Sequence, residues 1–272
     1  MTLMQSIILG IIQGASEFLP ISSSGHLVLA PYVFGWDIPL QEAFIFDVLV
    51  QVATLTAVII YYWKDLLQII KSMFSGIVSR KPLFDLYSRL GWYLILATIP
   101  AGLAAIFFKD IFENAFSNPK AAAIFLIFTS VFLFIAEFFG SRTRSLDSAS
   151  WLDVLWIGFF QIFALFPGIS RSGSTISGGM LRGFNRESSA RFSFLMAVPV
   201  MSAAGVLAIS DLLTAPDLLS KLPIYLAGFI TAALVGYLAI RWFISYLSKK
   251  SLYLFAVYCA VIGLIFLILL SL

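Results

Sequence analysis

Charge is scarce in this 272-residue chain: Asp, Glu, Lys and Arg together make up 11% of it, against roughly 25% in a soluble globular domain, which excludes a water-soluble fold. There is one cysteine, Cys259, inside the last apolar run, so neither a disulfide framework nor a cysteine metal cluster is available. There is also one histidine, His26. Seventeen Lys and Arg against 14 Asp and Glu leave a formal +3. These few charges fall between apolar runs and form no basic stripe, so nucleic acid is excluded as a partner. Residues Met1 to Ser6 contain no Lys or Arg ahead of the first apolar stretch. The charged n-region of a secretory signal peptide is missing, and the N-terminus is expected to stay on the protein.

What is abundant is apolar surface, 61% of the residues, with a mean hydropathy of +1.00. A bilayer core about 30 Å thick needs ~20 apolar residues per helix. Six stretches qualify, near 42–63, 90–108, 121–140, 191–210, 223–244 and 252–271, and the fold class expected is an all-α polytopic membrane protein. Two more apolar regions, about 3–36 and 151–184, are broken by polar, Gly- and Pro-rich text at Glu17–His26 and Phe166–Ser177. Irregular backbone at membrane depth survives only where it is buried in protein or lines a wet cavity, so both regions read as re-entrant helical hairpins.

The hairpins are copies of one another: Ile21-Ser-Ser-Ser-Gly25 aligns with Ile169-Ser-Arg-Ser-Gly173 at an offset of 148 residues, and Phe44 and Phe46 fall on Phe192 and Phe194. Each is followed by three spans, so the chain reads as one membrane domain made of two repeats, about 1–140 and 151–272. The odd number of spans inverts the second. Counting Lys and Arg by loop places thirteen on one side, in 64–89, 141–150, 182–191 and 241–250, and only Lys109, Lys120 and Lys221 on the other. The positive-inside rule puts the first side in the cytoplasm and both termini outside. The first hairpin then enters from outside, the second from inside, and their tips meet near the midplane.

In each hairpin the second arm begins just after serines, Ser22 to Ser24 and Ser170 to Ser172, which are good N-caps. Two helix N-termini with free N–H groups therefore point inward, and Gly25 and Gly173 let an oxyanion approach the backbone. The expected ligand is anionic. Arg171 is the sole Lys or Arg at a tip, and its planar fork matches phosphate oxygens. Glu17 and Gln13 share one helix face and form a thin site for Mg²⁺ or Ca²⁺. Asp47, with Gln51 one turn on, is a second intramembrane acid that could join them. His26 stands three residues after Ser23, on the first turn of the same helix, where it could serve as general base, acid or nucleophile.

The stretch from Gln13 to His26, together with Pro167-Gly168-Ile169-Ser170-Arg171-Ser172-Gly173 and Thr175, resembles the two signatures of the undecaprenyl-diphosphatase (bacitracin-resistance) family. The resemblance implies a bacterial inner-membrane phosphatase that removes the terminal phosphate of a C55 polyprenyl diphosphate, regenerating the lipid carrier for cell-wall glycans. It implies functional roles for Gln13, Glu17, Ser23, His26, Ser170, Arg171 and Thr175. Gln13 stands where many members carry glutamate. The mechanism expected is attack by Ser23 with His26 as its base, with His26 itself as the second choice of nucleophile. Ser22, Ser24, Gly25, Ser170, Ser172, Gly173 and Thr175 would hold the phosphates, a divalent cation would sit on Glu17, and the site would open outward. The partners expected are the lipid substrate, membrane lipids and a second copy of the chain in a homodimer. A secondary transporter or flippase of an anionic lipid is the alternative that the inverted repeat leaves open.

Overall fold

The computed structural model describes residues 1–116, 118–213 and 218–271, with the side chains at 40, 207–213 and 218–219 outside the description. Among the described residues there are twelve α-helices and no strand. Helix α1 (Leu3–Phe18) starts on a capping box, the Thr2 hydroxyl accepting from Gln5 N while the Gln5 side chain accepts from Thr2 N. It stops at Leu19, which is extended because it precedes Pro20. Helix α2 (Ser23–Phe34) runs back to Gly35, a left-handed C-cap at φ 62°. These two form the first hairpin. The second is α8 (Trp151–Phe163), opened by a Ser150–Asp153 capping box, and α9 (Arg171–Leu181), capped by Ser170.

Helices α3 (Leu40–Tyr61), α5 (Leu86–Phe107), α7 (Pro119–Phe139), α10 (Arg186–Leu213) and α11 (Leu218–Leu247) have the length and hydropathy to cross a membrane. The sixth expected span is the apolar α12 (Tyr253–Leu269), shorter at 17 residues, or about 25 Å. Two helices lie where the sequence reading had loops, α4 (Trp63–Val78) and α6 (Lys109–Phe116). Lys64, Asp65 and Lys71 interrupt any long apolar run in α4. The helix is instead amphipathic, burying Ile69, Ser72 and Gly76 against α5 and exposing Leu67, Ile70 and Phe74.

The halves interlock reciprocally. Helix α1 lies along α11, and α8 lies along α5. Gly10 and Gly14 press on the backbone of Gly228 and Ala232, and Gly158, the counterpart of Gly10 at the 148-residue offset, presses on that of Ala97. Any Cβ at these glycines would strike main chain, as expected of close helix pairs in lipid. The first spans, α3 and α10, pack together, as do the third spans, α7 and α12.

The two ends differ in charge. At one, the Met1 ammonium and Lys221 flank Glu42 at 2.8 and 3.0 Å. At the other, buried Glu137 binds Arg142 and Arg186, buried Asp153 binds Arg144 and Arg182, and Arg191 reaches Asp65. Asp153 holds the Arg144 guanidinium above its ordinary pKa by hydrogen bonding to it. The basic loops thus gather at one end, and the hairpins enter from opposite ends.

Candidate active site

The hairpin tips meet inside the protein. Gly168 N donates to Ser24 Oγ at 3.5 Å, and Ser172 Oγ donates to Leu19 O at 3.2 Å, so Ser24 and its repeat counterpart Ser172 each bind the other hairpin. Gly168 is required here. Its φ is 94°, and a Cβ would strike the carbonyl oxygen of Ala122. Thr129 of α7 fixes the same turn, accepting from Ser170 N and donating to Gly168 O, both at 2.9 Å.

Ser22 Oγ caps Gly25 N at 3.2 Å and Ser170 Oγ caps Gly173 N at 3.0 Å. The N–H groups at the first two positions of each helix have no intrahelical acceptor: Ser23 and Ser24 in α2, Arg171 and Ser172 in α9. The caps differ in one respect, since Ser170 has an ordinary φ of −68° whereas Ser22 is held at 69°, a sparsely populated region for serine. Both N-termini border a cavity of about 180 Å³ whose polar lining comprises Glu17, Ser22, Ser23, Ser24, Ser170 and Arg171, joined by Gln51 and Gln161. Its apolar lining includes Leu165, Val200 and Met201.

Glu17 is the hub. Oε1 accepts from Arg171 Nη2 at 2.7 Å, and Oε2 accepts from Ser23 Oγ at 2.6 Å and from Gln13 Nε2 at 3.0 Å. Arg171 is steadied from behind: Nη1 donates to Ser193 O at 3.2 Å. The Thr175 hydroxyl donates to Arg171 O and accepts from Ser193 Oγ, both at 2.7 Å. An ion pair joins the two hairpins across the cavity, and a hydroxyl sits on the same carboxylate.

The hydrogen bonds pair these residues differently from the pairing expected from sequence. Ser23 is bonded to Glu17, not to His26. His26 Nδ1 lies 2.7 Å from Ser22 O, which can only accept, so Nδ1 carries the proton. Nε2 lies 2.8 Å from Tyr258 Oη on α12, with the two rings stacked. Gly25, Ser172, Gly173 and Thr175 do not line the cavity; capped amides, close tip packing and the Thr175–Ser193 bond put them in its wall. Gln13 is fully buried behind Glu17, and Asp47, one turn before Gln51, is not among the lining residues. Among the described residues, no three His, Cys, Asp or Glu come together as a metal site. A single pocket-facing carboxylate suits Mg²⁺ or Ca²⁺ only if phosphate oxygens complete the shell.

Gln161, Ser193 and Tyr258 were not singled out from sequence. For Gln161 a signal exists: it falls on Gln13 at the repeat offset.

Fold and cavity together define an integral membrane enzyme that presents a hydroxyl, a carboxylate, a guanidinium and two helix N-termini to an anionic group. The chain belongs to the family described as bacitracin resistance protein BacA, which it matches over residues 6–265. It is similar to the undecaprenyl-diphosphatase of Thermomicrobium roseum, 38% identical over 278 residues that cover all of this chain and 99% of that one. The protein of the same name from Methanosphaera stadtmanae is 38% identical, covering 98% of both chains, and that from Chloroherpeton thalassium is 39% identical, covering all of this chain and 98% of the other.

Proposed function

We infer that this chain hydrolyses undecaprenyl diphosphate to undecaprenyl phosphate and inorganic phosphate. The observation that carries this reading is Glu17, held between the Ser23 hydroxyl and the Arg171 guanidinium at the convergence of two helix N-termini. The tail lies among apolar side chains such as Leu165, Val200 and Met201, and the diphosphate enters the polar end. Its oxygens displace Glu17 as the partner of Arg171, because a doubly charged acceptor outcompetes a single carboxylate for the fork. Released from Arg171, Glu17 becomes a better base for the hydroxyl it already touches.

Ser23 Oγ then attacks the terminal phosphorus as its proton passes to Glu17. The bond to the bridging oxygen breaks, and that oxygen leaves on undecaprenyl phosphate. Water next attacks the phosphoserine phosphorus, the P–Oγ bond breaks as Oγ takes back the proton held by Glu17, and the water's oxygen and hydrogens leave as inorganic phosphate, restoring both the hydroxyl and the carboxylate. The amides of Ser23 and Ser24 at the α2 N-terminus stabilise the charge on the transferred group, and Arg171 neutralises the charge that develops on the phosphate leaving with the lipid. A divalent cation held by Glu17 and phosphate oxygens supplies further neutralisation when bound. The positive-inside rule favours the basic end in the cytoplasm, and Phe116, at the opposite end, borders the cavity, which supports an entrance from the outer side.

The test is phosphate release by purified protein in detergent, with undecaprenyl diphosphate, farnesyl diphosphate and a water-soluble diphosphate compared in Mg²⁺, Ca²⁺ or chelator. Preference for the long chain is expected. Absence of phosphate release from every substrate overturns the reading.

A further inference from the structure

Gln161 is 2% exposed and borders the catalytic cavity, yet neither atom of its amide has a hydrogen-bond partner among the described residues. A buried amide left wholly unpaired is costly, and native proteins seldom retain one without a use for it. The repeat explains how it arises. At the 148-residue offset Gln161 corresponds to Gln13, Leu165 to Glu17 and Arg171 to Ser23. In the first half the Gln13 amide is spent on Glu17 at 3.0 Å. In the second half the residue one turn on is Leu165, which offers nothing to bond, so the amide of Gln161, a residue that borders the cavity, remains unpaired.

The half-sites therefore divide the chemistry. The first holds the hydroxyl and the base, beside the α2 N-terminus. The second has the α9 N-terminus, Arg171 and an unpaired amide, with its lining hydroxyl, Ser170, engaged in the helix cap and no carboxylate beside it. A diphosphate has two phosphates to place, and only the one being transferred needs the first half. We propose that Gln161 contacts the substrate, its Nε2 donating to an oxygen of the lipid-proximal phosphate, so that the diphosphate straddles the two half-sites with one phosphate in each. This rests on the diphosphatase reading above, and makes the second half the site that also holds the lipid monophosphate product.

Gln161→Leu removes both polar atoms at similar volume and leaves no buried group unpaired, so the folded protein should be at least as heat-stable as wild type. In a phosphate-release assay the KM for undecaprenyl diphosphate should rise about ten-fold or more, the worth of a hydrogen bond to a charged acceptor, with kcat changed less. Product inhibition separates the half-sites. The inhibition constant of undecaprenyl phosphate should weaken by a similar factor, while that of inorganic phosphate, which needs only the first half, should stay put. An unchanged KM, or equal weakening of both inhibitors, overturns the assignment to the lipid-proximal phosphate. If wild-type protein in the same assay releases no phosphate at all, the diphosphatase reading itself fails, a result distinct from either.

Discussion

Ser23 Oγ donates to Glu17 Oε2 at 2.6 Å while Arg171 holds the other oxygen of the same carboxylate. The hydroxyl and the carboxylate therefore come from the two arms of one hairpin, and the guanidinium comes from the other hairpin. Glu17→Gln keeps the size and one acceptor but cannot take a proton. Phosphate release should fall about a hundred-fold or more, the usual scale for loss of a general base. Ser23→Ala should fall at least as far, and the double variant no further than the worse single. Near-normal turnover in Glu17→Gln would reduce Glu17 to a structural partner of Arg171.

Arg171 uses two nitrogens at once, Nη2 on Glu17 and Nη1 on Ser193 O. A lysine ammonium can replace the charge but not the span of the fork. Arg171→Lys should therefore cost about 1.5–3 kcal/mol of transition-state stabilisation, roughly ten- to a hundred-fold in kcat/KM. Arg171→Ala should be worse and partly rescued by added guanidinium. Full activity in Arg171→Ala would mean that the phosphate site lies elsewhere.

Nδ1 of His26 is committed to Ser22 O, so with a neutral imidazole Tyr258 donates its hydroxyl to Nε2. The pair links the α2 N-terminus to α12. Tyr258→Phe deletes one hydrogen bond and should lower turnover by about ten-fold or less. His26→Gln should cost more, and adding Tyr258→Phe to it should change nothing further, since Tyr258 acts through His26. Additive losses in this cycle would give the tyrosine a separate role.

The hairpins and the residues at their tips were legible in sequence because they leave local marks: serines at N-caps, a Pro–Gly break, one arginine where every neighbour is apolar or small. Five of the six expected spans stand as helices long and apolar enough to cross a membrane, and the sixth, expected over 252–271, is the shorter apolar helix α12. Pairing was not. Ser23 and His26 lie three residues apart on one helix, which reads as a dyad, yet the preferred partners are Glu17, six residues back across the turn, and Tyr258, more than two hundred residues on. Helix α4 was missed because its apolar residues recur with helical period inside a charged stretch, a pattern that a search for continuous apolar runs passes over. Ser193 carried no mark at all, since a serine in an apolar span reads equally well as packing.

Glu137 is fully enclosed and serves three donors, Arg142, Arg186 and the amide of Leu252, all within 2.8 Å. It ties the end of α7 to the start of α10 and the turn before α12. Removing it strands two guanidiniums that keep only part of their hydration, so the cost lies below the about 3–5 kcal/mol of a fully buried pair that loses one partner. Glu137→Ala should therefore lower the melting temperature in detergent sharply, while Arg142→Ala, which leaves Arg186 in place, should do so mildly. Equal melting temperatures for Glu137→Ala and wild type would show that the cluster contributes no stability.

The charge asymmetry of the two ends makes orientation testable without any assay of activity. Ser248 lies at the basic end, in the turn between α11 and α12, and Asn114 lies at the other, exposed on α6. The native thiol, Cys259, is buried and so contributes little background. In intact cells a cysteine at Asn114 should react with a membrane-impermeant thiol reagent, whereas one at Ser248 should react only after the membrane is opened. The site follows the same logic, because the first hairpin enters from the end that bears Asn114 and carries Glu17, Ser23 and His26 with it. The reverse labelling pattern would invert the chain and turn the cavity towards the inner leaflet. The diphosphate would then have to be supplied from the cytoplasmic side, although the chemistry between Ser23 and Glu17 would be unchanged.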